Sequence, residues 1–142
     1  MTTRRFQLQD HLPYLLRRAH FEADALFVKI YGTALTSRQL ALMVAVDWRQ
    51  GGSQSEVAQD IGLDLNTCSD LVQRSVAKGL LRRERSSADA RSFCLFLTQE
   101  GQQALDEAMA KATEYRDAVA RHLSPAERKQ LVGLLRKMLR FD

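Results

Sequence analysis

The stretch Ser53-Gln54-Ser55-Glu56-Val57-Ala58-Gln59-Asp60-Ile61-Gly62-Leu63-Asp64-Leu65-Asn66-Thr67-Cys68-Ser69-Asp70-Leu71-Val72 decides the fold. Ser53 with Glu56 three residues on is a capping box, which opens a short helix through Val57, Ala58 and Ile61. Gly62 ends that helix, because glycine tolerates the left-handed conformation in which helices commonly stop. Asp64 can cap the next helix, which carries Leu65, Cys68, Leu71, Val72 and Val76 and ends at Gly79. Two short helices meeting at a glycine turn of about three residues predict a helix-turn-helix.

Past Gly79 the period changes. Leu80-Leu81-Arg82-Arg83-Glu84-Arg85 and Ser92-Phe93-Cys94-Leu95-Phe96-Leu97 read as short strands around a polar tip, Ser86-Ser87-Ala88-Asp89-Ala90. The pair predicts a β-hairpin, so the module is a winged helix-turn-helix. On its N-terminal side, Leu12, Leu15, Leu16, Ala19, Ala23, Leu26 and Ile30 form one helical stripe that stops near Gly32. Pro13 requires a first-turn position or a kink there. Thr36 and Gln39 make another capping box, for a helix that carries Leu40, Met43, Val44 and Trp48 and ends at Gly51-Gly52. On the other side, helix resumes after Thr98 and runs to about His122. Ser124-Pro125-Ala126-Glu127 then opens a closing helix with Leu131, Leu134, Leu135, Met138 and Leu139.

The predicted class is therefore mainly α with a small β-hairpin wing, the winged helix-turn-helix being embedded between N- and C-terminal dimerisation helices. Residues 35–98 form the DNA-binding region of a single chain, and residues 1–34 and 99–142 a helical dimerisation region. The long terminal helices leave apolar faces that a single small module cannot cover, so a homodimer is expected.

Composition narrows the classes. With 142 residues, 45% of them hydrophobic, the chain is too apolar for disorder and suits one domain with helical extensions. Its longest uncharged apolar run, Ala41 to Val46, is far short of the roughly 20 residues of a membrane span. No apolar segment follows Arg4 and Arg5 as in a secretion signal, and two cysteines build no disulfide framework, so a cytoplasmic home is expected. His11, His20 and His122 are scattered without metal-ligand spacing, and no nucleophile elbow, phosphate loop or dinucleotide fingerprint occurs. The reading therefore contains no catalytic residue, no metal and no cofactor.

The pieces Leu35-Thr36-Ser37-Arg38-Gln39-Leu40, Ser55-Glu56-Val57-Ala58-Gln59-Asp60-Ile61-Gly62, Lys78-Gly79-Leu80-Leu81, Asp89-Ala90-Arg91, Leu97-Thr98-Gln99-Glu100-Gly101 and Leu123-Ser124-Pro125-Ala126-Glu127 share one order and spacing. In these the chain resembles the MarR family of bacterial transcriptional regulators over nearly its whole length. The resemblance implies a repressor that binds a double-stranded, pseudo-palindromic operator as a homodimer and is released by a small aromatic acid. A redox-sensing regulator, or a winged-helix interaction scaffold without DNA binding, are the alternatives. Two positions depart from the family: Asp70 stands where many members have arginine, and Ser75 where leucine is usual.

Charge is distributed as this function requires. The net charge of +4, from 21 Lys and Arg against 17 Asp and Glu, is modest. Yet residues 53–70 hold four acids and no base, while residues 71–98 hold six bases and two acids. Positive charge thus gathers on the second half of the recognition helix and on the wing, where phosphates are met. Asn66, Thr67, Ser69 and Gln73 are the outward polar candidates for base edges, with Arg74, Arg83 and Arg85 placed for phosphate. Arg91 at the wing tip suits a narrow A·T-rich minor groove, and Asp89 either holds its guanidinium or is an ordinary turn aspartate.

A sensor site is expected on the first helix. At about 100° per residue, His20 edges the apolar stripe, with Arg17 about 60° and Phe27 about 20° away. Tyr14, Arg17, Arg18, His20 and Phe21, with Trp48 on the second helix, offer a guanidinium and an imidazole among aromatic rings, which suits an aromatic carboxylate. The alternative for these arginines is a solvated or salt-bridged face. Cys68 and Cys94 lack an adjacent Lys or His to lower their pKa and read as small buried hydrophobes.

Overall fold

The computed structural model describes residues 5–141, so the expectation placed on Arg4 lies outside it. Seven α-helices and one hairpin follow in the order α1 (Leu12–Tyr31), α2 (Ser37–Arg49), α3 (Gln54–Asp60), α4 (Leu65–Ala77), β1 (Leu81–Arg85), β2 (Phe93–Leu97), α5 (Gln99–Ala110), α6 (Ala112–Val119) and α7 (Pro125–Leu139). A single 3₁₀ turn, Leu8–Asp10, precedes α1. Among the described residues, no helix is long and apolar enough to cross a membrane.

The chain divides into two compact units, residues 28–111 and the two terminal segments 1–27 and 112–142. In the first, local signals explain every helix start. Thr36 and Gln39, and Ser53 and Glu56, close reciprocal capping boxes, and the Asp64 carboxylate accepts the Thr67 N–H at 2.8 Å. The stops of α3 and α4 share one geometry. Gly62 (φ +68°) donates to the Gln59 carbonyl while Leu63 donates back to Ala58, and Gly79 (φ +76°) with Leu80 repeats the pattern on Val76 and Ser75. These paired bonds satisfy the last carbonyls of each helix.

The core of this unit draws Leu42 and Val46 from α2, Val57 and Ala58 from α3, Cys68, Leu71 and Val72 from α4, and Leu81 and Leu95 from the hairpin. The strands pair antiparallel from Leu81 opposite Leu97 to Arg85 opposite Phe93. A further bridge between Ser53 and Cys94, with Leu95 donating to the Gly52 carbonyl at 3.0 Å, ties the wing to the start of α3. Ser75, which stands where leucine is usual in the family, is fully buried with its hydroxyl donating to the Leu71 carbonyl at 2.8 Å. Its polar atom is thereby satisfied within the helix, and the site remains closed.

Gly101 is a contact the sequence did not disclose. A Cβ on this third residue of α5 would lie 1.9 Å from the Leu80 carbonyl oxygen. Only glycine lets α5 sit directly on the backbone that enters the wing, with the Gly101 N–H capped by Thr98 Oγ1 at 2.9 Å.

The helix expected to run unbroken from Thr98 to His122 is interrupted. At Lys111 the backbone N–H donates to Ala108, three residues back at 3.1 Å, in place of the four-residue ladder, and α5 ends there.

The unit of terminal segments holds the N-terminal part of α1 with α6 and α7. Ser124, Pro125 and Glu127 open α7 as expected. Tyr115 OH donates to the Ala23 carbonyl at 2.9 Å, and its ring meets Phe27 edge-on with centroids 5.5 Å apart. Arg121 pairs with Glu22 at 2.6 Å, holding that carboxyl below the usual range, and Arg128 pairs with Asp117 at 2.6 Å. Phe27 is the single buried residue of this unit among those described, whereas Leu12, Leu15, Leu16, Leu131, Leu134 and Leu139 stay exposed.

Candidate nucleic-acid interface

Helix α4 has two opposed faces. Cys68, Leu71, Val72 and Ser75 are buried. Asn66 and Gln73, both exposed, lie about 20° apart on the helix and about 180° from Ser75. The fold thus brings two amides together, one in the first turn and one two turns on, on the side that packs against nothing in the unit. An amide of this kind can bond adenine through two atoms at once. Ser69 and Thr67 flank this face half-buried. Thr67 is partly committed, since its hydroxyl donates to Asp64 at 2.7 Å, leaving only its lone pairs and methyl group outward. Leu65, in the same first turn, is 59% exposed and was not anticipated as part of this surface.

The acids of residues 53–70 have local tasks. Asp60 receives Arg49 Nε at 2.6 Å and Nη2 at 2.8 Å, a bidentate clamp between α2 and α3, and Glu56 lies 3.7 Å from the same guanidinium. The clamp holds the Asp60 carboxyl below, and the Arg49 guanidinium above, its ordinary value. Asp64, as the α4 cap, is held low by the Thr67 N–H. Asp70 pairs with Arg74 at 3.0 Å, so the arginine expected to meet phosphate is shared with a carboxylate one turn away. The sequence sum for this segment missed Arg49, which lies outside the window and offsets half of the α3 charge from α2.

On the wing, Arg83 and Arg85 both lie over the Phe93 ring, at 5.0 and 5.4 Å from its centroid, and Arg82 lies over Phe96 at 4.3 Å while pairing with Glu84. The aromatic residues of β2 therefore serve as a platform that aligns the arginines of β1 without neutralising them. At the tip, Arg85 donates to the Ala90 carbonyl at 2.6 Å, and Ser86 and Ser92 close the loop at 2.9 Å. Asp89 accepts the backbone N–H of Arg91 at 3.0 Å, the arrangement of a turn aspartate. Of the two roles open to Asp89 the turn is the one formed, and among the described residues no bond to the Arg91 guanidinium is made. Arg91 is left exposed at the end of the hairpin.

On α1, Arg18 Nη1 donates to Tyr14 OH at 2.8 Å, and Arg17 and Arg18 lie 5.9 and 5.7 Å from the centroid of that ring. His20 Nε2 stands 3.3 Å from Asp24 Oδ2, with the Phe21 ring tilted beside it at 6.3 Å. Trp48 is in the other unit, on α2, and is 83% exposed. Of the six sensor candidates, Tyr14, Arg17 and Arg18 form one cluster and His20 and Phe21 another.

Cys68 is fully buried, and burial, with Asp64 nearby, pushes its thiol up. A raised thiol is a poor nucleophile, which weighs against redox sensing there.

Comparison with known proteins places these features in context. No family model matches the chain. It is 30% identical over 137 residues to a Thauera aromatica protein named as a transcriptional regulator for the hcr operon, across 95% of this chain and 82% of that one. Bordetella bronchiseptica BpsR, described as regulated in its DNA binding by 6-hydroxynicotinic acid, superposes with a TM-score of 0.89 at 29% identity, over 96% of this chain and 99% of BpsR. The transcriptional repressor CouR, solved on a 23-mer DNA duplex, superposes with a TM-score of 0.85 at 28% identity, over 93% and 94% of the two chains.

Proposed function

Because the chain belongs to the MarR family of winged helix-turn-helix transcriptional regulators, we propose that it is a cytoplasmic repressor that holds a pseudo-palindromic operator as a homodimer and releases it on binding a small aromatic acid. The observation that carries the reading is the pairing of an outward Asn66–Gln73 face on α4 with arginines aligned on the Phe93 ring of the wing. In this reading α4 enters the major groove, N-terminal end first, and the wing lies along the backbone with Arg91 reaching the adjacent minor groove. Arg83, Arg85 and Arg74 meet phosphate, while Asn66, Gln73, Ser69 and Thr67 face base edges.

The homodimer is supported by the exposed leucines of α1 and α7. Each is still about a third to three-fifths exposed, so covering the rest is worth about 0.5–1.7 kcal/mol, and a second copy offers a matching apolar surface. Two recognition helices related by a twofold axis then read half-sites about 10 bp apart, which makes the operator pseudo-palindromic. Release by an aromatic acid is supported by the Tyr14, Arg17 and Arg18 cluster, in which a guanidinium already lies against an aromatic ring, and by the 6-hydroxynicotinic acid response of BpsR. His20 and Phe21, farther along α1, complete the proposed sensor set on that helix.

The Arg18→Ala variant tests the sensor. Its affinity for operator DNA without ligand is expected to equal the wild type's, while release by 6-hydroxynicotinic acid is lost. Loss of ligand-free DNA binding as well, with α1 unfolded by circular dichroism, would show a structural arginine instead.

A further inference from the structure

Leu65 opens α4 and is the one large hydrophobic side chain of that helix left exposed, at 59%. The core beneath the helix takes Cys68, Leu71 and Val72, with Leu63 and Val76 packed against it, and Leu65 stands outside that cluster. On the helix it lies about 40° from Ser69 and about 100° from Asn66, on the side of the outward face opposite Asp70. An isolated exposed leucine is ordinary on a protein surface. This one sits among Asn66, Thr67 and Ser69, in the first turn, where the proposed function puts base edges.

The groups around Leu65 discriminate among base pairs by what they lack. Guanine is most often read by Arg or Lys, and neither occurs from Asp64 to Gln73. Cytosine is read through its amino group by a carboxylate free to accept. Both Asp64 oxygens are engaged by Thr67, at 2.8 Å from its N–H and 2.7 Å from its hydroxyl, and Asp70 is turned to Arg74 at 3.0 Å. What remains outward is two amides, Asn66 and Gln73, with two apolar groups, Leu65 and the Thr67 methyl, on either side of Asn66. Amides suit adenine, and each adenine brings with it into the major groove a thymine whose C5-methyl is an apolar contact.

We propose that Leu65 reads a thymine C5-methyl in each half-site, so that the bases under the first turn of α4 belong to A·T pairs. The inference rests on the proposed placement of α4 in the major groove and adds a base identity to it. Leu65, which no core residue covers, closes over the methyl, and both groups lose apolar surface to water. One methyl so buried changes affinity by about fourfold. The C5-methyl lies in the major groove only, and the thymine O2 presented to the minor groove is the same with or without it. The contribution of Leu65 is therefore separable from that of Arg91 on the wing.

The test begins by enriching bound duplexes from a randomised DNA pool with the full chain. Fluorescence anisotropy then follows the enriched duplex as each symmetry-related pair of thymines is replaced by deoxyuridine, which lacks only the methyl. One such pair is expected to weaken the wild type by about fourfold for each half-site, and by about tenfold or more for both. Leu65→Ala should bind the thymine and deoxyuridine duplexes within about twofold of one another. Leu65→Met, which keeps an apolar side chain of similar reach, should restore the preference. Both variants should keep the wild-type thermal midpoint, since Leu65 stands outside the core. An enriched duplex in which no deoxyuridine pair alters wild-type affinity, or a preference that Leu65→Ala retains, would overturn the methyl contact and leave the operator reading standing. No duplex enriched over the pool would overturn the operator reading, and this inference with it.

Discussion

Asp70 is the residue whose removal should improve the protein at its task. It is an exposed carboxylate, 61% accessible at the side chain, on the second turn of α4 and 3.0 Å from Arg74. On the helix it lies about 40° from Asn66, and so on the margin of the face turned toward DNA. A carboxylate about 6 Å from one phosphate, at effective dielectrics of about 40–80, is repelled by about 0.7–1.4 kcal/mol. Salt screening over a Debye length of about 8 Å roughly halves this, to about 0.3–0.7 kcal/mol for each protomer. The lost Arg74 pair opposes the gain little, since two side chains this exposed contribute at most about 0.5 kcal/mol to folding. In the proposed dimer, Asp70→Asn therefore tightens operator binding by about 0.6–1.4 kcal/mol, roughly three- to tenfold. The variant also frees Arg74 for phosphate, so the log–log salt dependence should steepen by up to about 0.9 per protomer. Fluorescence anisotropy of a labelled operator at several salt concentrations reads both quantities at once. An unchanged or weakened affinity with an unchanged salt slope would refute the placement of this helix against the phosphate backbone.

Three further outcomes follow from the same geometry. Arg91→Ala is expected to weaken operator binding by about 1–3 kcal/mol in gel shift at fixed salt while leaving the thermal midpoint unaltered, because the Asp89 turn uses only the Arg91 backbone N–H. Gly101→Ala places a carbon against the Leu80 carbonyl and should cost about 1–3 kcal/mol in urea unfolding, whereas Gly133→Ala, whose added carbon meets nothing within 4 Å, should be neutral or stabilising. Asp60→Asn should lower the thermal midpoint at pH 7. Arg49 depresses the folded Asp60 pKa below 3.8, so this stabilisation is present above that value and fades as pH falls through the folded pKa; the two midpoints should converge in acid.

Legibility in the sequence tracked the range of the interaction. The helix starts at Thr36, Ser53, Asp64, Thr98 and Ser124 could be read because each cap is closed by a residue three positions away. The same holds for the glycine stops at Gly62 and Gly79, whose bonds stay within one turn. The break at Lys111 carried no proline or glycine to announce it. Arg49 escaped because its carboxylate partner is eleven residues on, in another helix, and Gly101 because its reason is a carbonyl across the fold. In the site, the outward face of α4 followed from periodicity, but the alignment of Arg83 and Arg85 on Phe93 depends on the strand register.

The central claim, that α4 and the wing together read a twofold operator, is tested most directly by titrating the chain onto DNA from the promoter beside its gene, with a shuffled duplex of equal length as control. The account predicts two chains per site, a preference for the promoter of at least about a thousandfold at physiological salt, and affinity that falls steeply as salt rises. One chain per site, or equal and salt-indifferent binding to both duplexes, would contradict it.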